Sequence, residues 1–276
     1  MQIKLYDKLL DLSSPVVMAI INVTPDSFYK NSRTFSDQPI LQTVEKALGA
    51  GARIVDLGGY STRPSAEDVT QEEEIRRLSQ GLDVILKEFP DTSVSIDTFR
   101  SGTVRNIVKN YAVSMVNDIG GGTLDDLMFE TVGELKVAYV LMHMRGTPKT
   151  MHECTDYDNL TGEVIRFLNK QIAQLRALGV VDIVIDPGFG FAKTTAQNYE
   201  LLKNMSCLKE LDCPILAGVS RKSMICKLLD VDPTEALNGT TAVNMLALMN
   251  GASILRVHDV KEAVETVRIY NQYIQS

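Results

Sequence analysis

Polar and charged residues stand where short apolar runs end, and they recur along the whole chain. Asn22 closes VVMAIIN, Asp56 sits in RIVDLGG, Asp97 closes SVSID, and Asn117 and Asp118 close SMVND. His143 follows VAYVLM, Asp186 precedes Pro187–Gly188, Ser220–Arg221–Lys222 follow PILAGV, and Arg256 and His258 lie in SILRVH. A carboxylate or amide directly after a buried run must be hydrogen-bonded or charge-paired, because burying it alone costs free energy. Loops are polar as a rule, so any one of these residues has an ordinary explanation. The whole series asks for a common one. Asp97, Asn117 and Asp186 offer two carboxylates and an amide, a set able to hold a flat heterocycle through the paired N–H donors of an amidine-like edge. Lys222, Arg256 and His258 supply positive or protonatable groups for an anionic substrate part. Lys222 and Arg256 also admit a plainer reading as a structural ion pair. Asn22 and Asp56 carry oxygens of the kind a hard cation such as Mg2+ takes. Together these imply a heterocycle joined to a phosphate.

The elements that must position these groups are legible as alternation. Apolar, β-branched runs at 16–21, 53–57, 93–96, 114–116, 137–142, 182–185, 214–219 and 253–257 have the length of buried strands. Between them lie amphipathic stretches. Residues 71–87 place Ile75, Leu78, Leu82 and Ile85 at helical spacing, and 160–178 do the same with Val164, Leu168, Ile172 and Leu175. Strand–helix alternation implies βαβ units and a parallel sheet. Such units in 276 residues, with no linker between them, fit a single-domain α/β protein, a (β/α)8 TIM barrel over residues 1–276. A doubly wound open sheet has the same periodicity. The barrel is the arrangement that gathers every polar run end at one C-terminal mouth.

Composition excludes several classes. The chain has 28 Lys and Arg against 35 Asp and Glu, a net charge of −7, which argues against a nucleic-acid or anionic-membrane partner. No apolar stretch is long enough to span a bilayer, and the first residues lack a signal-peptide core. Cys154, Cys207, Cys213 and Cys226 form no C-x-x-C pair and read as reduced thiols of a cytoplasmic protein. Cys226, inside a helical pattern, is the one expected to be buried. Gly120–Gly122 lacks the Lys of a phosphate-binding loop, and Gly188-x-Gly190 has Lys193 where a dinucleotide fingerprint needs glycine. No G-x-S-x-G or H-E-x-x-H occurs, and three histidines make a poor transition-metal set. Val264, Val267, Ile269 and Ile274 serve equally as core or interface.

The motifs INVTPDSF (21–28), DLGGYSTRP (56–64), SIDT (95–98), VNDI (116–119), LMHMRGTP (141–148), DPGFGF (186–191), GVSRKS (218–223) and RVHDV (256–260) occur in order at barrel spacing. As a set they resemble the dihydropteroate synthase family of bacteria. The resemblance implies a (β/α)8 barrel, a homodimer and Mg2+ as cofactor. It also implies condensation of hydroxymethyl-dihydropterin diphosphate with p-aminobenzoate, and inhibition by sulfonamides. Asp97, Asn117, Asp186 and Lys222 match pterin-binding positions, with Met142 and Gly218 around the ring. Asn22, Thr62, Arg256 and His258 match the diphosphate positions, with Asn22 the metal ligand. Phe28, Thr62, Arg63, Pro64, Phe191 and Ser223 match the surroundings of p-aminobenzoate. Asp97, Asp186, Lys222, Arg256 and His258 are the implied catalytic set. Tyr29, Lys30, Asn31 and Ser32 replace a commoner loop with an acidic residue and two glycines, which implies altered p-aminobenzoate affinity or sulfonamide response. Ser65 and Ala192 stand where glycine is frequent. Three other readings share parts of the pattern. A corrinoid methyltransferase barrel explains the carboxylates and amide but not the cations. A Schiff-base aldolase needs a desolvated Lys222. A non-catalytic pterin-binding paralogue fits the altered first loop.

Overall fold

The computed structural model describes residues 1–23, 37–60 and 69–276. It opens with an antiparallel hairpin, β1 (Gln2–Leu5) and β2 (Lys8–Asp11). Eight parallel strands follow: β3 (Val16–Asn22), β4 (Ile54–Gly58), β5 (Val94–Asp97), β6 (Met115–Asp118), β7 (Ala138–Met142), β8 (Ile183–Asp186), β9 (Leu216–Ala217) and β10 (Ile254–Val257). They are ordered β8-β7-β6-β5-β4-β3-β10-β9. A parallel bridge from Ile185 to Ile215 joins the end strands, so the sheet closes into a barrel and the open doubly wound alternative falls. The seventh strand is much shorter than its apolar run.

Helices pack outside: α1 (Asp37–Gly49), α2 (Gln71–Glu88), α3 (Ser101–Asn110), α4 (Met128–Leu135), α5 (Leu160–Ala177), α6 (Thr195–Lys203), α7 (Ser223–Leu229), α8 (Leu237–Met249) and α9 (Val260–Gln275). The two helices expected from periodicity form within a residue of the expected bounds. In α2, Thr70 accepts the Glu73 amide as N-cap and Leu78, Leu82 and Ile85 are buried. In α5, Asn159 caps at Gly162 and Val164, Leu168, Ile172 and Leu175 are buried.

Strand side chains alternate with a period of two, and the barrel wall divides the core accordingly. Val17, Ala19, Ile21, Val55, Leu57, Val94, Ile96, Val116, Leu141, Ile185, Ala217 and Leu255 face outward into the helix layer. Met18, Ile54, Met115, Ala138, Val140, Val184, Leu216 and Ile254 fill the lumen. Ile3, Leu5 and Leu12 of the hairpin region join that inner cluster from below and close its floor. Asp182 Oδ1, ahead of β8, accepts the Lys4 amide at 2.7 Å and pins the hairpin.

Cys213, not Cys226, is the buried thiol. Cys213 precedes β9 and packs in the wall, whereas Cys226 lies on the short α7 with its Sγ toward the Arg221 carbonyl. On α9, Val267 is core while Ile269 and Ile274 are exposed, so one apolar stretch divides between the two roles. No helix among the described residues is long and apolar enough to cross a membrane.

Candidate active site

The alternation that fills the lumen with apolar side chains also sets what stands above them. Two residues beyond Ile54, Met115, Val140, Val184, Leu216 and Ile254 come Asp56, Asn117, Met142, Asp186, Gly218 and Arg256. Asn22, Gly58, Asp97 and Asn117 are register partners across four neighbouring strands. The polar run ends that meet at the mouth share the parity of the lumen-facing positions of their strands.

Arg256 is the centre of one group. Its Nε donates to Asp56 Oδ2 and its Nη2 to Asp97 Oδ2, both at 2.6 Å. Asn117 Nδ2 donates to Asp56 Oδ2 at 2.9 Å. Asp56 is fully buried and Asn117 nearly so, so loss of Arg256 would leave an uncompensated charge costing about 3–5 kcal/mol. Burial pushes the Asp97 carboxyl up to about 7, against the pull of Arg256 and with the repulsion of Asp56. Asp56, read from the sequence as a cation ligand, is committed to Arg256 and Asn117 through one oxygen. Its other, Oδ1, is buried without a partner.

Asp186 and Lys222 make a second group across the mouth. Asp186 Oδ1 accepts the Gly188 amide at 2.7 Å. A Cβ on Gly218 would meet Asp186 Oδ2 at 3.6 Å and Lys222 Nζ at 3.7 Å, so the bare glycine leaves a slot between carboxylate and ammonium. Burial raises the Asp186 carboxyl, and Lys222, the Gly188 amide, Arg256 and Lys193 oppose that rise. Burial pulls Lys222 down to about 8, with Asp186 resisting. Lys222 Nζ donates to the Phe189 carbonyl and lies 4.9 Å from the Phe191 ring centroid. Met142 and Phe191 share a small apolar cluster beside the slot.

A third group ties the last two strand ends together. Ser220 Oγ lies 3.1 Å from His258 Nδ1 and accepts the His258 amide at 3.2 Å. Arg221, at φ +52°, forms a two-pronged pair with Asp259, each contact 2.8 Å. Ser223, the first residue of α7, is exposed.

Among the described residues no cluster of three His, Cys, Asp or Glu side chains could hold a metal. Mg2+, however, keeps waters and substrate phosphates and takes only one or two protein oxygens. Asn22 Oδ1 lies beside Gly58, where a Cβ would approach it to 3.1 Å, so the amide oxygen keeps its space. This donor fits such a cation.

Phe28, Thr62, Arg63, Pro64, Ser65 and the unusual 29–32 stretch lie outside the described residues. His143 and Asp118 have the opposite parity from the lumen residues. His143 packs edge-on against Phe167, and Asp118 accepts Tyr139 Oη at 2.5 Å and the Gly120 and Gly122 amides. Their position after an apolar run was visible in the sequence, but counting by twos was needed to see that they turn away. Ala192 adopts φ +49°, a conformation glycine takes at less cost.

Residues 18–258 match the family described as pterin binding enzyme. The chain is 41% identical over 262 residues to dihydropteroate synthase of Escherichia coli (strain K12), covering 94% of this chain and 92% of that protein. The crystal structure of Yersinia pestis dihydropteroate synthase with a sulfonamide drug complex superposes with a TM-score of 0.92 at 37% identity, over 100% of both chains. The Xanthomonas albilineans enzyme in complex with 7,8-dihydropteroate gives a TM-score of 0.88 at 33% identity, over 100% of this chain and 99% of that one.

Proposed function

Because this chain belongs to the pterin binding enzyme family, among its dihydropteroate synthases, we propose that the gathered oxygens and cations of the mouth carry out that synthesis. The chain is a transferase of folate biosynthesis. It condenses hydroxymethyl-dihydropterin diphosphate with p-aminobenzoate and releases diphosphate. The observation that carries the assignment to this site is the slot over Gly218 between Asp186 and Lys222, at the same barrel mouth as the register partners Asp97 and Asn117, with the Asp97 charge acting on Lys222.

The chemistry follows from charge. Asp97, Asn117 and Asp186 present acceptors to the N–H edge of the pterin, and Lys222 donates to a ring acceptor. Breaking the methylene C–O bond sends its electron pair to the diphosphate and leaves positive charge delocalised into the ring. Carboxylates of Asp97 and Asp186 stabilise that charge more in the transition state than in the ground state. Arg256, His258 and Asn22 face the departing anion. The aniline nitrogen then attacks the methylene carbon and sheds a proton, so the reaction is SN1-like with no covalent enzyme intermediate. Mg2+, held by Asn22, would neutralise charge on the diphosphate. Phe28, Thr62, Arg63, Pro64, Phe191 and Ser223 are the proposed surroundings of p-aminobenzoate, and sulfonamides would compete there. The compartment is proposed as the cytoplasm, supported by four unpaired thiols. Assembly as a homodimer is supported by exposed Leu229, Leu246 and Met249 on α7 and α8.

Diphosphate release tests the reading. It is expected only with both substrates present and to rise with Mg2+. Asp97→Asn should lower kcat about 100-fold or more while the far-ultraviolet circular dichroism stays that of wild type. Near-normal turnover in that variant would contradict the charge-stabilisation mechanism.

A further inference from the structure

One buried charge has no part in the chemistry above. Lys193 is 8% exposed. Its Nζ lies 3.0 Å from the Gly188 carbonyl, 3.0 Å from the Phe191 carbonyl and 3.1 Å from His143 Nδ1. Three ammonium donors meet three acceptors, and none is a carboxylate. A buried cation satisfied only by neutral groups is costly unless its charge or geometry is used.

His143 suits the acceptor role. Burial, helped by Lys193 and Arg145, pushes its imidazole down to about 2, so the ring is neutral, and in the tautomer with its proton on Nε2 the Nδ1 lone pair accepts from Lys193. Burial likewise pulls Lys193 down to about 7, with Asp186 resisting and Lys222 and Arg145 adding to the fall.

The two carbonyls belong to the loop 187–194 after β8, and that loop touches both jaws of the slot. Gly188, φ +73°, sits so close to β7 that a Cβ would fall 1.9 Å from the His143 carbonyl oxygen. Its amide holds Asp186. The Phe189 carbonyl accepts from Lys222, and the Phe191 ring lies beside the same ammonium. Lys193 thus grips the loop at the residues that flank Phe189 and fastens it to the end of β7.

We propose that Lys193 is a positioning residue for the pterin pocket, fastening loop 187–194 to His143 so that Asp186 and Lys222 keep the spacing that grips the heterocycle. This rests on the pterin-binding assignment above.

The test is calorimetric titration of full-length wild type and Lys193→Met with 6-hydroxymethylpterin, beside thermal unfolding of each. Lys193→Met is expected to weaken Kd about tenfold or more with binding stoichiometry unchanged. A merely structural role would lower Tm or the competent fraction and leave the Kd of folded molecules as it was. A folded Lys193→Met protein with Kd within about twofold of wild type overturns the proposal. Should that variant not fold, His143→Leu removes the anchor and keeps the ammonium, and the same loss of affinity is expected. Hydrogen exchange on wild type needs no variant: amides of 188–191 are expected to be protected without ligand, and exchange at the solvent rate overturns the proposal. Wild type that binds no 6-hydroxymethylpterin would instead overturn the pterin assignment itself.

Discussion

At the scale of residues, Asp97 and Lys222 are two ionisable groups of the mouth that burial brings toward neutrality from opposite sides. Asp97 must be an anion to stabilise a pterin cation, and its carboxyl lies near 7 because burial outweighs Arg256. Under the proposed mechanism Lys222 must be a cation to hold the ring, and burial has brought it near 8. The raised carboxyl loses its charge as pH falls through 7, and the lowered ammonium loses its charge as pH rises through 8. A plot of kcat/KM against pH is therefore expected to be a narrow bell with limbs near those values. Lys222→Arg should abolish the alkaline limb, since guanidinium stays charged, although its planar fork will lower the maximum. A flat profile from pH 6 to 9 in wild type would show that neither titration governs the reaction. Arg256 illustrates how far residue type alone carries the reading. Its charge and strand position were plain from the sequence, and so was the choice between diphosphate contact and structural ion pair. Its seat between Asp56 and Asp97 depends on strands far apart in the chain, which no local pattern encodes.

At the scale of elements, the hairpin and the strand ends divide the labour of the barrel. Leu5 is 2% exposed and belongs to the inner apolar cluster that includes Ile254 and Val184, and it makes no part of the polar mouth. Leu5→Ala is expected to cost about 2–4 kcal/mol of stability in urea denaturation while both KM values stay at wild-type levels. A changed KM with intact stability would mean that the floor communicates with the mouth. The parallel strands were legible because each is buried on both faces and reads as a continuous apolar run. The hairpin was not. Its strands are four residues long with only one face covered, and Lys4, Lys8 and Asp7 interrupt the apolar positions. The site followed from the strands, since its members are strand ends. The Lys193–His143 link did not, because a loop lysine between Ala192 and Thr194 has no periodicity to announce where it points.

At the scale of the whole molecule, Leu228 and Leu229 of α7 and Leu246 and Met249 of α8 are among the exposed apolar side chains. Leu246 and Met249 are three apart on one helical face, about half exposed, and Leu229 of α7 approaches the same helix at Gly239. Sedimentation equilibrium is expected to give twice the 30.5 kDa chain mass. Leu246→Glu combined with Met249→Glu should shift it toward the single-chain value, and wild type that sediments as a single chain at micromolar concentration would end the homodimer reading. The closed floor has a consequence of its own. With one end of the tube stoppered by Ile3, Leu5 and Leu12, reactants, products and displaced solvent share a single doorway. The hairpin turn at Tyr6 projects from the opposite pole, with Tyr6 61% exposed. A fluorophore or surface tether attached there hangs clear of all traffic, so an immobilised enzyme can be gripped by its base while it works.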